Sequence, residues 1–110
     1  MAKYIPKKGD FIIAVFDPQA GHEQKGRRPA LVISNNLFNE KTGLAIVCPI
    51  TNTDRGYPFH INIVNNKKVT GLVMVDQVKS IDYTSRKAKF ITDASHGIIK
   101  DVLEVLGEIV

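Results

Sequence analysis

Eight residues, Leu44 to Thr51, run apolar almost without a break. A run of that length and composition reads as a strand buried on both faces, so the rest of the chain has to supply cover on two sides. The sequence around it supplies more strands. Phe11-Ile12-Ile13-Ala14-Val15-Phe16 is rich in strand formers, and Asp17-Pro18 closes it because proline lacks the ladder donor. Pro29 to Ser34 reads as a second strand, with proline tolerable at its first position. Tyr57 to Val64 alternates, placing Phe59, Ile61 and Ile63 on one side and His60 and Asn62 on the other. That pattern makes Phe59 a core residue, and His60, like His96, an ordinary surface residue. Gly71 to Val78 is the next expected strand, followed by short closing strands at residues 80–83 and 86–91.

Asn35 to Asn39 has the makings of a short helical turn with asparagine as its cap. The period changes to helical at the end of the chain, where Ile98, Val102, Val105, Leu106 and Ile109 recur on one side, opposite Asp101, Glu104 and Glu108. A helix is expected from about Ala94 to Glu108, with Thr92, Asp93 or Ser95 as its cap and Gly97 weakening its first turn by roughly 1 kcal/mol. Several strands with turn signals every ~8–12 residues, then one helix, argue for a small mostly-β barrel or twisted sheet closed by that helix. The 110 residues make one domain, 1–110. Cys48, the only cysteine, has no internal disulfide partner and reads as a small buried hydrophobe. No apolar run approaches the ~20 residues that span a bilayer, and the start of the chain does not read as a signal peptide, so the cytoplasm is the expected compartment.

Charge is unevenly spread. Residues 1–91 hold 14 Lys and Arg against 7 Asp and Glu, while residues 92–110 hold one Lys against four acids. A basic body suits a polyanionic partner such as nucleic acid. The richest polar segment is Gly21-His22-Glu23-Gln24-Lys25-Gly26-Arg27-Arg28-Pro29, a loop between two apolar runs. Loops held on a rigid scaffold are where function concentrates.

Four ordered blocks resemble the MazF/PemK family of toxin endoribonucleases. They are Phe16-Asp17-Pro18 leading through Gly21-His22-Glu23-Gln24 to Gly26-Arg27-Arg28-Pro29-Ala30-Leu31-Val32, then Pro49-Ile50-Thr51, Gly56-Tyr57-Pro58-Phe59, and Val75-Asp76-Gln77-Val78-Lys79-Ser80-Ile81-Asp82. The resemblance covers nearly the whole chain. It implies an SH3-like barrel of the CcdB/PemK type with a C-terminal helix, and a homodimeric toxin. It also implies sequence-specific, metal-independent cleavage of single-stranded RNA without a cofactor, and inhibition by a MazE-like antitoxin. Met74 departs from the PemK-like branch, which has an arginine two residues before Asp-Gln, so the site is expected to be of the MazF type.

The residues themselves support metal-free cleavage. The eleven acids form no evident cluster for Mg²⁺, and His22, His60 and His96 are too widely spaced for a zinc motif. In the metal-free route the ribose 2′-hydroxyl attacks the adjacent phosphate, which requires a proton acceptor, charge stabilisation on the phosphorane and a donor to the leaving 5′-oxygen. Arg28 offers a guanidinium that forks onto phosphate oxygens and stays charged. The resemblance places it on the family's catalytic arginine. Thr51, at a strand end, reads by itself as a residue bonded to its own backbone; the resemblance makes its hydroxyl a donor to phosphate. Glu23 or His22 is the proton acceptor, with Glu23 present across both branches of the family. Candidates for RNA contact are His22, Gln24, Lys25, Asn52, Thr53, Arg55, Tyr57, Asp76, Gln77, Lys79 and Arg86, since amides read base edges, aromatics stack and cations track phosphates. Asp76 and Gln77 either read a base or brace the loop. Two other readings compete: a CcdB-like poison of DNA gyrase with no activity on RNA, and an inactive SH3-like binding module.

Overall fold

Alternation along the first three strands sends apolar side chains to both faces of one sheet. On β1 (Asp10–Val15), Phe11 joins one buried cluster while Ile12 and Ala14 join another. β2 (Arg27–Val32) divides in the same way, Leu31 to the first cluster and Ala30 and Val32 to the second. β3 (Leu44–Thr51) gives Cys48 and Ile50 to the first, and Ala45 and Val47 to the second. The sheet is therefore buried on both sides, as the apolar run on β3 requires. The computed structural model that shows this describes residues 3–16 and 26–110.

Four shorter strands complete the sheet: β4 (His60–Asn62), β5 (Leu72–Met74), β6 (Lys79–Asp82) and β7 (Lys89–Asp93). The hydrogen-bonded order is β4-β5-β3-β2-β1-β7, with β6 also on β3, and every pairing is antiparallel. β3 holds two strands on a single edge. Leu44 to Val47 pair with Asp82 to Lys79 of β6, and Ile50 and Thr51 pair with Val73 and Leu72 of β5. Among the described residues no ladder joins β4 to β7, so the sheet is open rather than a closed barrel. The expected mostly-β, α+β class with a C-terminal helix is what is found.

The sharing of that edge explains one departure from the sequence reading. Residues 71–78 are not one strand. After Met74 the chain makes a 3₁₀ turn, Val75–Gln77, in which Val78 N–H bonds the Val75 carbonyl at 3.2 Å, before β6 begins. A continuous strand would overrun the half of β3 that β6 occupies.

Among the described residues, two helices flank the sheet. In α1 (Asn36–Thr42) Asn35 Oδ1 accepts from Phe38 N–H at 2.9 Å, and Gly43, at φ 74°, ends the helix. Asn39 of α1 is fully buried. Its amide donates to the Pro6 and Ser34 carbonyls, its Oδ1 accepts from Ser34 Oγ, and its carbonyl accepts from Tyr83 O–H. That network ties four segments together, and its polar groups are satisfied, which burial demands. In α2 (His96–Ile109) Ser95 is the cap, accepting from Ile98 N–H at 3.3 Å, one of the three residues expected. Ile98 and Val102 enter the first cluster beside Phe11, Val73 and Val75, each contributing about 2 kcal/mol by burial. Asp101, Glu104 and Glu108 stay exposed on the far side.

Two side chains around β4 depart from expectation. β4 begins only at His60, so the alternation does not reach Phe59, which is 40% exposed, while Ile61 and Ile63 pack on the core. The His60 side chain, expected at the surface, is 3% exposed.

Candidate functional site

The sheet face that buries Ala30, Val32, Ala45 and Val47 turns polar towards the other end of the same strands. By the two-residue period, Arg28 lies on the face of Ala30 and Val32, and Pro49 and Thr51 on the face of Ala45 and Val47. Ala30 pairs with Pro49, and Arg28 and Thr51 lie two residues further along their strands. β5 adds Met74, on the face opposite the buried Val73. The 3₁₀ turn after it carries Asp76 and Gln77, and β6 opens with Lys79. Strand pairing thus brings residues 28, 49, 74, 77 and 79 to one place.

The result is a recess of about 220 Å³ lined by Phe16, Arg28, Pro49, Met74, Gln77 and Lys79. Arg28 is exposed and forms no salt bridge with the described residues. Lys79 Nζ sits 5.5 Å from the centre of the Phe16 ring, a cation–π contact that holds the ammonium at the recess wall. A second recess of about 230 Å³ is lined by Arg55, Tyr57, His60, Met74, Asp76 and Gln77. Met74 and Gln77 line both, so the two recesses adjoin, and together they are termed the groove. Cations, amides and an exposed aromatic along a groove are the side chains that hold a phosphate backbone and unstacked bases.

Thr51 is half-buried at the end of β3, beside Leu72 of β5. Its Oγ1 accepts from Thr53 N–H at 3.1 Å, the local bond expected of a strand-end threonine, and the hydroxyl proton remains available to donate. Gly71 positions this end. It sits at φ +117°, and a Cβ there would stand 2.5 Å from the Thr51 carbonyl oxygen and 2.8 Å from Asn52 Oδ1.

Not all sequence candidates converge. Asn52 lines a different recess, of about 270 Å³, with Pro29, Lys68 and Thr70, and Thr53 is exposed beyond Thr51. Arg86 points its guanidinium at the Val15 and Phe16 carbonyls, at 3.5 Å each, where β1 ends. His22, Glu23, Gln24 and Lys25 lie outside the described residues. His60, expected to be an ordinary surface residue, is a member of the groove. Its Nε2 is 3.2 Å from Asp76 Oδ1, and its ring lies under Tyr57 at 5.1 Å between centres. No sequence signal distinguishes it, because alternation sets its face but not what covers that face. Cys48 lies behind the groove on the opposite sheet face, its thiol pushed up to about 12 by burial and then by the Asp76 charge.

The chain matches, over residues 7–110, the family model described as PemK-like, MazF-like toxin of type II toxin-antitoxin system. It is 41% identical over 88 residues to the endoribonuclease toxin MazF of Escherichia coli K12, covering 80% of this chain and 78% of that one. It is 34% identical over 107 residues to the endoribonuclease PemK of Escherichia coli, covering 94% and 80%. Among solved structures, MazF from Deinococcus radiodurans superposes with a TM-score of 0.87 at 40% identity, covering 97% of each chain. MazF in a MazE–MazF complex from the same organism superposes with 0.88 at 38% identity, covering 96% of each.

Proposed function

The chain belongs to the PemK-like, MazF-like family of type II toxin–antitoxin toxins, and on that premise we propose that it cuts single-stranded RNA at short sequences without a metal ion, leaving 2′,3′-cyclic phosphate and 5′-hydroxyl ends. Its relatives are endoribonuclease toxins, and it is an endoribonuclease with them. The observation that carries the chemistry is Arg28, exposed in a groove beside Lys79 and Gln77 and without a carboxylate partner among the described residues.

In this reading the substrate phosphate lies against Arg28, whose fork binds two oxygens of the developing phosphorane. Thr51 donates its hydroxyl proton to a phosphate oxygen while Thr53 N–H holds Oγ1 in place. Glu23 takes the proton of the attacking 2′-hydroxyl, His22 assists from the same loop, and the departing 5′-oxygen, hydrogen-bonded by Arg28, takes a proton from water to leave as the 5′-hydroxyl. Lys79 and Arg55 meet neighbouring phosphates, and Tyr57 and Gln77 meet bases. Gln24 and Lys25 extend the contact from the loop, with Asn52, Thr53 and Arg86 at the periphery. The enzyme works as a homodimer in the cytoplasm and is silenced by a MazE-like antitoxin, the partner seen with the Deinococcus radiodurans relatives.

Incubation with single-stranded RNA in EDTA tests the mechanism. Cleavage is expected to persist in the chelator, and Arg28→Ala to lower the rate by roughly 10²–10³-fold, as removal of a transition-state donor does. Cleavage that stops in EDTA, or survives Arg28→Ala undiminished, overturns it.

A further inference from the structure

The second recess of the groove contains a group that the cleavage steps leave unused. The His60 side chain is 3% exposed, yet it makes only one polar contact among the described residues, Nε2 to Asp76 Oδ1 at 3.2 Å. In a neutral ring, the tautomer that donates from Nε2 to the facing carboxylate oxygen leaves Nδ1 as an acceptor. Nδ1 is buried and has no partner among the described residues. An apolar side chain of similar size would fill this space without orphaning a polar atom, so packing alone does not account for an imidazole here. What the imidazole adds is its hold on Asp76.

That hold is built from rigid parts. His60 pairs with Met74 across β4 and β5, and Asp76 follows Met74 by two residues in the 3₁₀ turn. The Tyr57 ring packs over the imidazole with a 57° tilt and remains half-exposed itself. Asp76 is partly exposed, and its Oδ2 has no hydrogen-bond partner among the described residues. The recess of about 230 Å³ thus combines an aromatic face, the Gln77 amide and a carboxylate with one oxygen fixed and the other free.

We propose that His60 is a positioning residue for base selection: by holding Asp76 Oδ1 it presents Oδ2 as a fixed acceptor to the exocyclic amine of one base of the RNA substrate. The inference rests on the ribonuclease reading and deepens it. A carboxylate only accepts, so it pairs with the amines of adenine, cytosine or guanine. Uracil offers one N–H flanked by two carbonyl oxygens, which the carboxylate repels. Without His60 the carboxylate rotates and hydrates, and the discrimination fades while the phosphate chemistry at Arg28 stays in place.

The experiment maps 5′-hydroxyl ends on a random-sequence RNA pool for the wild-type chain, His60→Leu and His60→Gln, then measures kcat/KM on RNA pairs differing at one position, amine-bearing base against uridine. The wild type is expected to prefer the amine at one position. His60→Leu should lower that preference roughly tenfold there and leave other positions unchanged. His60→Gln, whose amide still donates to Asp76, should restore most of it. The Tm of His60→Leu should be equal or higher, since the orphaned acceptor is gone; if it melts below the assay temperature, His60→Met decides in its place. An unchanged base profile in His60→Leu, an equal loss on every sequence, or a His60→Gln variant no better than His60→Leu overturns the inference. A wild type that cuts no RNA overturns the ribonuclease reading and this inference with it, whereas a wild type that cuts and a His60→Leu variant with the same profile overturn this inference alone.

Discussion

Cys48 is separated from Pro49 of the Arg28 recess by one peptide bond, but its thiol faces the other cluster, beneath α2. Fully buried, it holds its proton up to about 12, against 9.0 for a free thiol, through burial first and the Asp76 charge second. The folded chain therefore binds a proton that the unfolded chain releases near pH 9. The sign follows: this stabilisation is complete below pH 9 and is lost as pH rises from 9 towards about 12, on the order of 1 kcal/mol per pH unit. Tyr4 and Tyr83 act in the same direction, their phenols raised first of all by burial, but from a higher starting value of 10.0. The interval from pH 9 to 10 thus belongs mainly to Cys48. Urea unfolding at pH 8, 9 and 10 should show stability falling over the last unit in the wild type and holding level in Cys48→Ala; equal slopes would refute the assignment. At neutral pH the same burial makes the thiol inert, in keeping with its reading as a small hydrophobe.

At the level of elements, the end of β3 is set by what β5 allows beside it. Gly71 accepts from Ile63 N–H at 2.9 Å and approaches Thr51 so closely that any Cβ must displace the strand. Its φ of +117° is unfavourable for other residues in any case. Gly71→Ala is expected to destabilise the fold by about 1–3 kcal/mol. It should also slow RNA cleavage by ten- to a hundredfold through the misplaced Thr51. Denaturant unfolding and single-turnover cleavage check the two effects separately, and a variant with wild-type cleavage would show that Thr51 need not be held so tightly. This dependence is invisible in the sequence, where Gly71 reads as the first residue of an apolar run. β1, β2, β3 and α2 are legible because each buries a pattern of its own period. The break after Met74 is not, since it arises from β6 competing for the same edge of β3, a strand distant from it in the chain. The site divides likewise. Arg28, Gln77 and Lys79 come from separate sequence motifs and line one recess, whereas the burial of His60, the separate recess of Asn52 and the inward turn of Arg86 depend on which strands become neighbours.

Across the whole molecule, charge is sorted by layer. The strands and loops of residues 1–91 carry an excess of seven positive charges, and residues 92–110, most of them α2, an excess of three negative ones. Asp101, Glu104 and Glu108 are exposed on the helix, while Arg28, Arg55 and Lys79 line the groove formed by the sheet. A polyanion approaching this chain is drawn to the groove and turned away from the helix. Single-stranded nucleic acid releases about 0.7 counterion per phosphate neutralised, so three groove cations give a slope near −2 when log kcat/KM is plotted against log salt concentration. Lys79→Ala should reduce the magnitude of that slope by about 0.7 if, as proposed, its ammonium meets one phosphate. Glu104→Lys, on the exposed side of α2, should leave the slope unchanged although it alters the net charge by more than the Lys79 substitution does. The comparison separates local contact from overall charge. If Glu104→Lys shifts the slope as strongly as Lys79→Ala, attraction to the chain as a whole governs encounter, and the groove has no special claim on the RNA backbone.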